Sequence, residues 1–377
     1  MPINPVIQDL VPDAQQWRRH LHANPELLYD LPRTAAFVAE PERGRTGVVG
    51  VISGRKGDGK RTIGLRADMD ALPIEETTNL PYRSTVPGKM HACGHDGHTA
   101  ILLGAARYLA RTRDFSGTAI VIFQPAEEGG GGGKAMIDDG LMENFAIDEV
   151  YAMHNDPKWP IGRFALRKGP LMASADFFIL RLEGKGGHAA FPHLCVDSIF
   201  AGAQIVTALQ TIVSRNVDPL DSCVVSVARF TAGSNDNVLP QTAELEGTAR
   251  SLLPATRDLT ERRVREIVAG IAAASGISAN IDYRRSYPPT INPPAQTDFA
   301  ASVARQIVGP ARVMTEAPPV MGAEDFSFML EARPGAFIWL GNGDSAALHH
   351  PAYDFNDSAL PYGMAYFAGI VETALAP

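Results

Sequence analysis

Apolar positions along this chain fall into two textures. Leu10 to Leu21 carries apolar and amphipathic residues at roughly helical spacing and ends near Asn24-Pro25, which predicts an opening helix. Thr62 to Ala67 reads as a short buried strand running into Asp68-Met69-Asp70, and Thr99 to Leu109, rich in Ala and Leu, as a helix. Thr118 to Phe123 is a continuous apolar strand that stops at Gln124-Pro125, just before Glu127-Glu128. A glycine run, Gly129 to Gly133, leads into a helix containing Ala135 to Ile137, and Val150 to Met153 is a further strand ending at His154. Strands this uniformly apolar, alternating with helices, predict an α/β sheet covered on both faces.

The middle of the chain alternates apolar and polar residues instead. Phe177 to Leu182 turns at Glu183 to Gly187, and a helix follows over Ser198 to Val213. Cys223 to Ala228 and Thr242 to Ala249 read as half-exposed strands, followed by a helix from Leu259 to Ala274. That order predicts an α+β unit of about a hundred residues. Past Tyr287-Pro288-Pro289 the chain returns to helix (Asp298 to Val308) and to a buried strand, Ala336 to Leu340. The expected organisation is a discontinuous domain, residues 1–174 and 288–377, carrying an inserted domain over 175–287.

Composition narrows the function classes. With 377 residues, 45% of them hydrophobic, the chain can bury two cores. A net charge of −8 without a basic block argues against nucleic acid as a partner. Cys93, Cys195 and Cys223 are too few and too scattered for a disulfide framework. Met1 to Leu10 lacks the basic start and apolar core of a secretory signal, and no apolar run is long enough for a bilayer. The expectation is a soluble cytoplasmic protein with no membrane partner.

The chemistry concentrates in Met90 to His98, where one thiol, three imidazoles and a carboxylate occupy nine positions. Thiolate, imidazole and carboxylate together suit a borderline divalent metal. Asp68/Asp70, Glu127/Glu128 and His154 each follow an apolar strand, and ligands gather at the carboxyl ends of strands in open α/β sheets. Separate strand ends can therefore converge on one metal site. By spacing alone His91 and His98 could ligate as well as Cys93 and His95. Nor does spacing say which glutamate would bind metal and which would act as a base.

Leu65 to Ile74, His91 to Asp96 and Phe123 to Gly131 resemble the M20 family of metallopeptidases, specifically its amidohydrolase branch of hippurate hydrolases and indole-acetyl-amino acid hydrolases. Gly184 to Ala190, Asn237 to Pro240 and Gly247 to Arg250 are similar to that family's dimerisation-domain signatures. Gly322 to Phe326 and Leu348 to Pro351 are similar to its C-terminal ones. The resemblance implies a mixed sheet flanked by helices, of zinc-exopeptidase type, with an inserted ferredoxin-like α+β domain that dimerises. It implies two divalent ions, manganese or zinc foremost and cobalt or nickel compatible, held by Cys93, His95, Glu128, His154 and His349. His350 fills a variable slot. Glu127 matches the general base. Asp68 and Asp70, at a strand end beside the ligands, are expected to orient them, with a turn role open for one of the two. His188 matches a histidine that enters a neighbouring subunit's site, and Asn237 and Arg250 match positions that hold the substrate's carboxylate. The implied substrate is a small N-acyl amino acid, cleaved to a carboxylic acid and a free amino acid by a homodimer.

One departure stands out. Between Phe37-Val38-Ala39-Glu40 and Arg45-Thr46-Gly47-Val48 the family has a longer helix end, a turn and a strand, whereas only Pro41 to Gly44 remain here. Three rival readings stay open: a dipeptidase or carboxypeptidase with the same site, a thiol hydrolase using Cys93 with His95 or His98 as base, and a non-catalytic metal-binding dimer.

Overall fold

A computed structural model describes residues 3–39, 47–57 and 59–377. The shortened stretch around Pro41 to Gly44 lies outside the described residues. The chain separates into two compact units, one of residues 1–169, 291–318 and 325–377, the other of residues 170–290 and 319–324. The return of 319–324 to the second unit was not foreseen from the sequence. Its cause is local pairing: Val320 N–H donates to Leu171 O, and Ala173 N–H to the carbonyls of Val320 and Gly322.

The first unit is built on a seven-stranded mixed sheet. Its strands run in the order Val48–Ser53, Thr118–Gln124, Thr62–Asp68, Glu149–Asp156, Gly335–Gly341, Phe164–Ala165, Val313–Met314. The four from Thr118–Gln124 to Gly335–Gly341 are mutually parallel, with Asp68 opposite Gln124 and His154 opposite Trp339. Every residue of Thr62–Asp68 and of Gly335–Gly341 is buried, as strands covered on both faces require. The helices His95–Thr112, Leu360–Ala374 and Pro294–Val308 contribute Ile101, Leu102, Leu109, Phe367, Ile370 and Ala304 to the core over this sheet.

Of the predicted boundaries that move, two do so for a reason that bears on the site. The helix begins at His95 rather than Thr99, because Gly94 adopts a left-handed conformation (φ +88°) that turns the chain into it. His154 lies inside its strand rather than after it, because the parallel ladder to Trp339–Gly341 extends the strand to Asp156.

The second unit follows the order strand, helix, strand, strand, helix, strand. Its four antiparallel strands are arranged Ser278–Arg285, Asp176–Glu183, Thr242–Ser251, Cys223–Ala232. This is a ferredoxin-like topology. Helices Ser198–Thr211 and Pro254–Ser275 bury Ile205, Leu209, Val264 and Val268 against Phe178, Leu180 and Leu245 of the sheet. The alternating burial of Asp176–Glu183 leaves Phe177, Arg181 and Glu183 on the other face. Among the described residues no helix is long and apolar enough to cross a membrane.

Candidate metal centre

Parallel strands place their carboxyl ends on one edge of the sheet, and the candidate ligands collect there. Cys93 Sγ lies 3.3 Å from His154 Nε2, although 61 positions separate the two residues. His349 Nε2 is 3.3 Å from Glu128 Oε1. The donor atoms of Cys93, Glu128 and His349 all lie within 4.8 Å of one another, as do those of His95, Glu127 and Glu128. The structure thus brings Cys93, His95, Glu127, Glu128, His154 and His349 into one cluster.

Hydrogen bonds decide which atoms face inward. His95 Nδ1 donates to the Asp70 carbonyl at 2.8 Å, and His154 Nδ1 to the Asn155 carbonyl at 2.7 Å. A carbonyl only accepts, so in the neutral ring each Nε2 keeps its lone pair and points it into the cluster. His95 Nε2 is buried and makes no hydrogen bond, an arrangement that is costly unless a cation takes the lone pair. His98 is spent differently. Its Nδ1 donates to Asp68 Oδ1 at 2.6 Å, while Nε2 accepts from Asn155 N–H at 2.9 Å. Asp68, His95, His98 and His154 also group within 4.8 Å, but with both ring nitrogens engaged His98 orients Asp68 rather than offering a donor. Both ring nitrogens of His91 are buried without hydrogen bonds, and burial lowers its pKa to about 4. His350 turns to its own backbone, accepting from Ala352 N–H.

Asp70 organises the glutamates. Its two carboxylate oxygens accept Glu127 N–H at 2.9 Å and Glu128 N–H at 3.1 Å. Ala126 before them is left-handed (φ +54°), and the following loop closes through Gly132 N–H to Ala126 O. A Cβ on Gly132 would strike the Pro125 carbonyl, so the loop needs glycine there. His349 is left-handed too (φ +65°), held by its N–H to Ala92 O at 2.8 Å. Backbone strain of this kind at two non-glycine residues around one cluster is characteristic of functional sites.

The electrostatics of the cluster ask for positive charge. Burial, then Glu128, Glu127 and Asp68, push the Cys93 thiol well above its ordinary range. Burial alone would lower His95, yet Asp68, Asp70 and Glu128 raise it to about 10. Carboxylate charge in a buried space contributes to both shifts, beside burial in the case of the thiol, and a divalent cation neutralises that charge while displacing the protons. The donor set, soft sulfur with imidazole and carboxylate, fits such ions. The same push on Cys93 argues against a free thiolate nucleophile.

Several residues that hold the cluster were not singled out in the sequence. Arg66 is fully buried in its strand and donates to Gln124 at 2.9 Å, Asp68 at 2.8 Å and Asp325 at 2.9 Å. An arginine inside an apolar strand was the available signal. Asn155 and Tyr353, both fully buried, join the Cys93 loop to the helix carrying His98, and their only trace is proximity in sequence to His154 and His349.

Three predicted substrate residues belong to the second unit. His188 and Asn237 meet on a short antiparallel ribbon, where His188 pairs with Val238 and Ala189 N–H donates to Asn237 O. Arg250 sits on Thr242–Ser251 with its guanidinium 5.7 Å from the Phe177 ring centre. Arg181, Arg229 and Arg284 on this sheet each pair with a carboxylate, whereas among the described residues none pairs with Arg250.

Known proteins resemble this chain over nearly its whole length. The model of peptidase family M20/M25/M40 matches residues 64–373. Hippurate hydrolase of Campylobacter jejuni is 44% identical over 378 residues, covering 98% of each chain. N-acetylcysteine deacetylase of Bacillus subtilis is 39% identical, covering 95% of this chain and 96% of its own. The crystal structure of the Bacillus subtilis YXEP protein, a dinuclear metal binding peptidase from the M20 family, superposes with a TM-score of 0.85. It is 33% identical and covers 98% of this chain and 99% of its own.

Proposed function

The chain belongs to peptidase family M20/M25/M40, and on that premise we propose that it is a metal-dependent amidohydrolase cleaving N-acyl amino acids to a carboxylic acid and a free amino acid. The observation that carries this reading is the meeting of Cys93, His95, Glu128, His154 and His349 around inward-facing lone pairs, with Glu127 beside them. These five residues would hold two divalent ions, manganese or zinc foremost and cobalt or nickel compatible. When bound, such ions supply a Lewis acid that makes water acidic near neutral pH.

Glu127 takes the proton of the attacking water and later delivers it to the nitrogen of the leaving amine, a role worth about 10²–10⁴-fold. Its position is supported by the Asp70 carboxylate, which grips its backbone. Arg250 and Asn237 bind the carboxylate of the amino-acid half. The half-buried guanidinium of Arg250, which makes no ion pair among the described residues and feels Asp176 of its own sheet only through space, supports that assignment. His188 stabilises the developing oxyanion in the site of a second subunit.

A homodimer is part of this proposal. The strand Cys223–Ala232 lies at a sheet edge, and Ile199, Phe200 and Phe230 beside it are exposed. Such an edge is a template for pairing with another chain. A cytoplasmic setting is supported by three free cysteines, which need no oxidising compartment.

The test combines elemental analysis with a substrate panel of benzoylglycine, acetyl-amino acids and unblocked dipeptides. Expected are two equivalents of metal per chain and turnover of acyl-amino acids that EDTA abolishes and manganese or zinc restores. Preference for unblocked dipeptides would make the protein a dipeptidase. Activity that survives EDTA would overturn the metal reading in favour of a thiol hydrolase.

A further inference from the structure

One buried side chain touches both halves of the candidate centre without facing it. Asn155 Nδ2 donates to the Cys93 carbonyl at 2.7 Å, and its Oδ1 accepts the Tyr353 hydroxyl at 2.6 Å. Its backbone is engaged as well. The Asn155 N–H donates to His98 Nε2 at 2.9 Å, and its carbonyl accepts from His154 Nδ1 at 2.7 Å. The amide orientation follows from chemistry, because the Cys93 carbonyl can only accept and the Tyr353 hydroxyl has Oδ1 as its acceptor.

These bonds leave little freedom. Asn155 and Tyr353 are both fully buried, where a hydrogen bond once lost is not replaced by water. A Cβ on Gly94, the residue after Cys93, would collide with the Asn155 amide and the Tyr353 hydroxyl. The Cys93 loop is therefore pressed onto the pair as well as bonded to it. On the other side, Asn155 O fixes the ring of His154 in the tautomer whose Nε2 lies 3.3 Å from Cys93 Sγ.

We propose that Asn155 and Tyr353 are a positioning pair that sets the separation of the Cys93 and His154 donor atoms, and through it the affinity of the centre for its metal. The inference rests on the metal reading above, but it concerns residues that touch neither metal nor substrate. Tyr353 holds Asn155 from behind. Asn155 then holds the Cys93 loop by its side chain and the His154 ring by its carbonyl. Groups of this kind behind a ligand typically change metal affinity about 10–100-fold when removed.

Cobalt(II) is the probe, since a cysteine ligand gives a sulfur-to-cobalt charge-transfer band that reports directly on Cys93. The full-length protein is stripped of metal and titrated with cobalt(II), as wild type, Tyr353→Phe, Asn155→Asp and Tyr366→Phe. Tyr366 is equally buried, and its hydroxyl makes no hydrogen bond, so its variant controls for loss of a buried phenol. Expected are a cobalt dissociation constant raised about 10-fold or more and a shifted, weaker band in Tyr353→Phe. Asn155→Asp, which sets a carboxylate oxygen against the Cys93 carbonyl, should lose more, and Tyr366→Phe should match wild type. If one of the two pair variants does not fold, the other reads the same quantity. Wild-type affinity and band in the pair variants, or equal losses in Tyr366→Phe, overturn the proposal while leaving the metal site standing. A wild-type protein that shows no sulfur-to-cobalt band overturns the metal reading and this inference together.

Discussion

The carboxylate of Asp70 accepts the backbone N–H of Glu127 at 2.9 Å, across 57 positions of sequence. A side chain at one strand end thereby fixes the backbone that follows the neighbouring strand. The second Asp70 oxygen takes Glu128 N–H, so one residue sets the candidate base and a candidate ligand together.

Asp70→Ala leaves the buried Glu127 N–H without an acceptor, at a cost of about 1–3 kcal/mol. Asp70→Asn keeps one acceptor oxygen and should fall between alanine and wild type. Urea unfolding midpoints and kcat, measured on the same samples, should drop in that order. A stable, fully active Asp70→Ala enzyme would show that the glutamates are held by something else.

Glu127→Gln keeps the backbone bond to Asp70 and the shape of the side chain but cannot accept the water proton. Turnover should fall by about 10²–10⁴-fold or more, with metal content unchanged. Retained activity would falsify the base assignment. Loss of metal along with activity would move Glu127 into the ligand set.

Arg250→Ala should raise KM for acyl-amino acids more than it lowers kcat, because it removes a contact made in ground and transition states alike. The unfolding midpoint should change little, since among the described residues this guanidinium makes no ion pair within its sheet. Amidated substrates, lacking the carboxylate, should be insensitive to the substitution. Equal losses on free and amidated substrates would remove Arg250 from carboxylate recognition.

His22 gives the fold a pH dependence on the alkaline side. Burial alone would lower its pKa, but hydrogen bonds to Asp96 and Glu76 raise it to about 9. A folded-state value above the unfolded one, about 6.5, means the imidazolium stabilises the protein fully below pH about 6.5. That contribution, on the order of 3 kcal/mol, is lost as pH rises through 9. Metal-free wild type should therefore lose more stability between pH 6 and 9.5 than His22→Gln does. Parallel losses in the two proteins would show that other groups set the alkaline limit.

The continuous apolar run Thr118 to Phe123, and the run Thr62 to Ala67 broken only by Arg66, announced buried strands, because a strand covered on both faces has little polar face to show. Period-two alternation did the same for Phe177 to Leu182 on its half-covered sheet. Donor chemistry was equally local: a thiol and three imidazoles within Met90 to His98 suit a borderline divalent cation. Division of labour among those donors was a different matter. Spacing treats His91, His95 and His98 alike, and only hydrogen bonds donated to Asp68 and Asp70, and the one accepted from Asn155, separate an inward-facing ring from a spent one. The Arg66–Asp325 ion pair, spanning 259 positions, and the Tyr353–Asn155 bond, spanning 198, have no local signature. Side-chain types and apolar periodicity are properties of neighbours along the chain. The direction of a lone pair depends on what the parallel register of four strands brings beside it, and that is a property of the folded molecule alone.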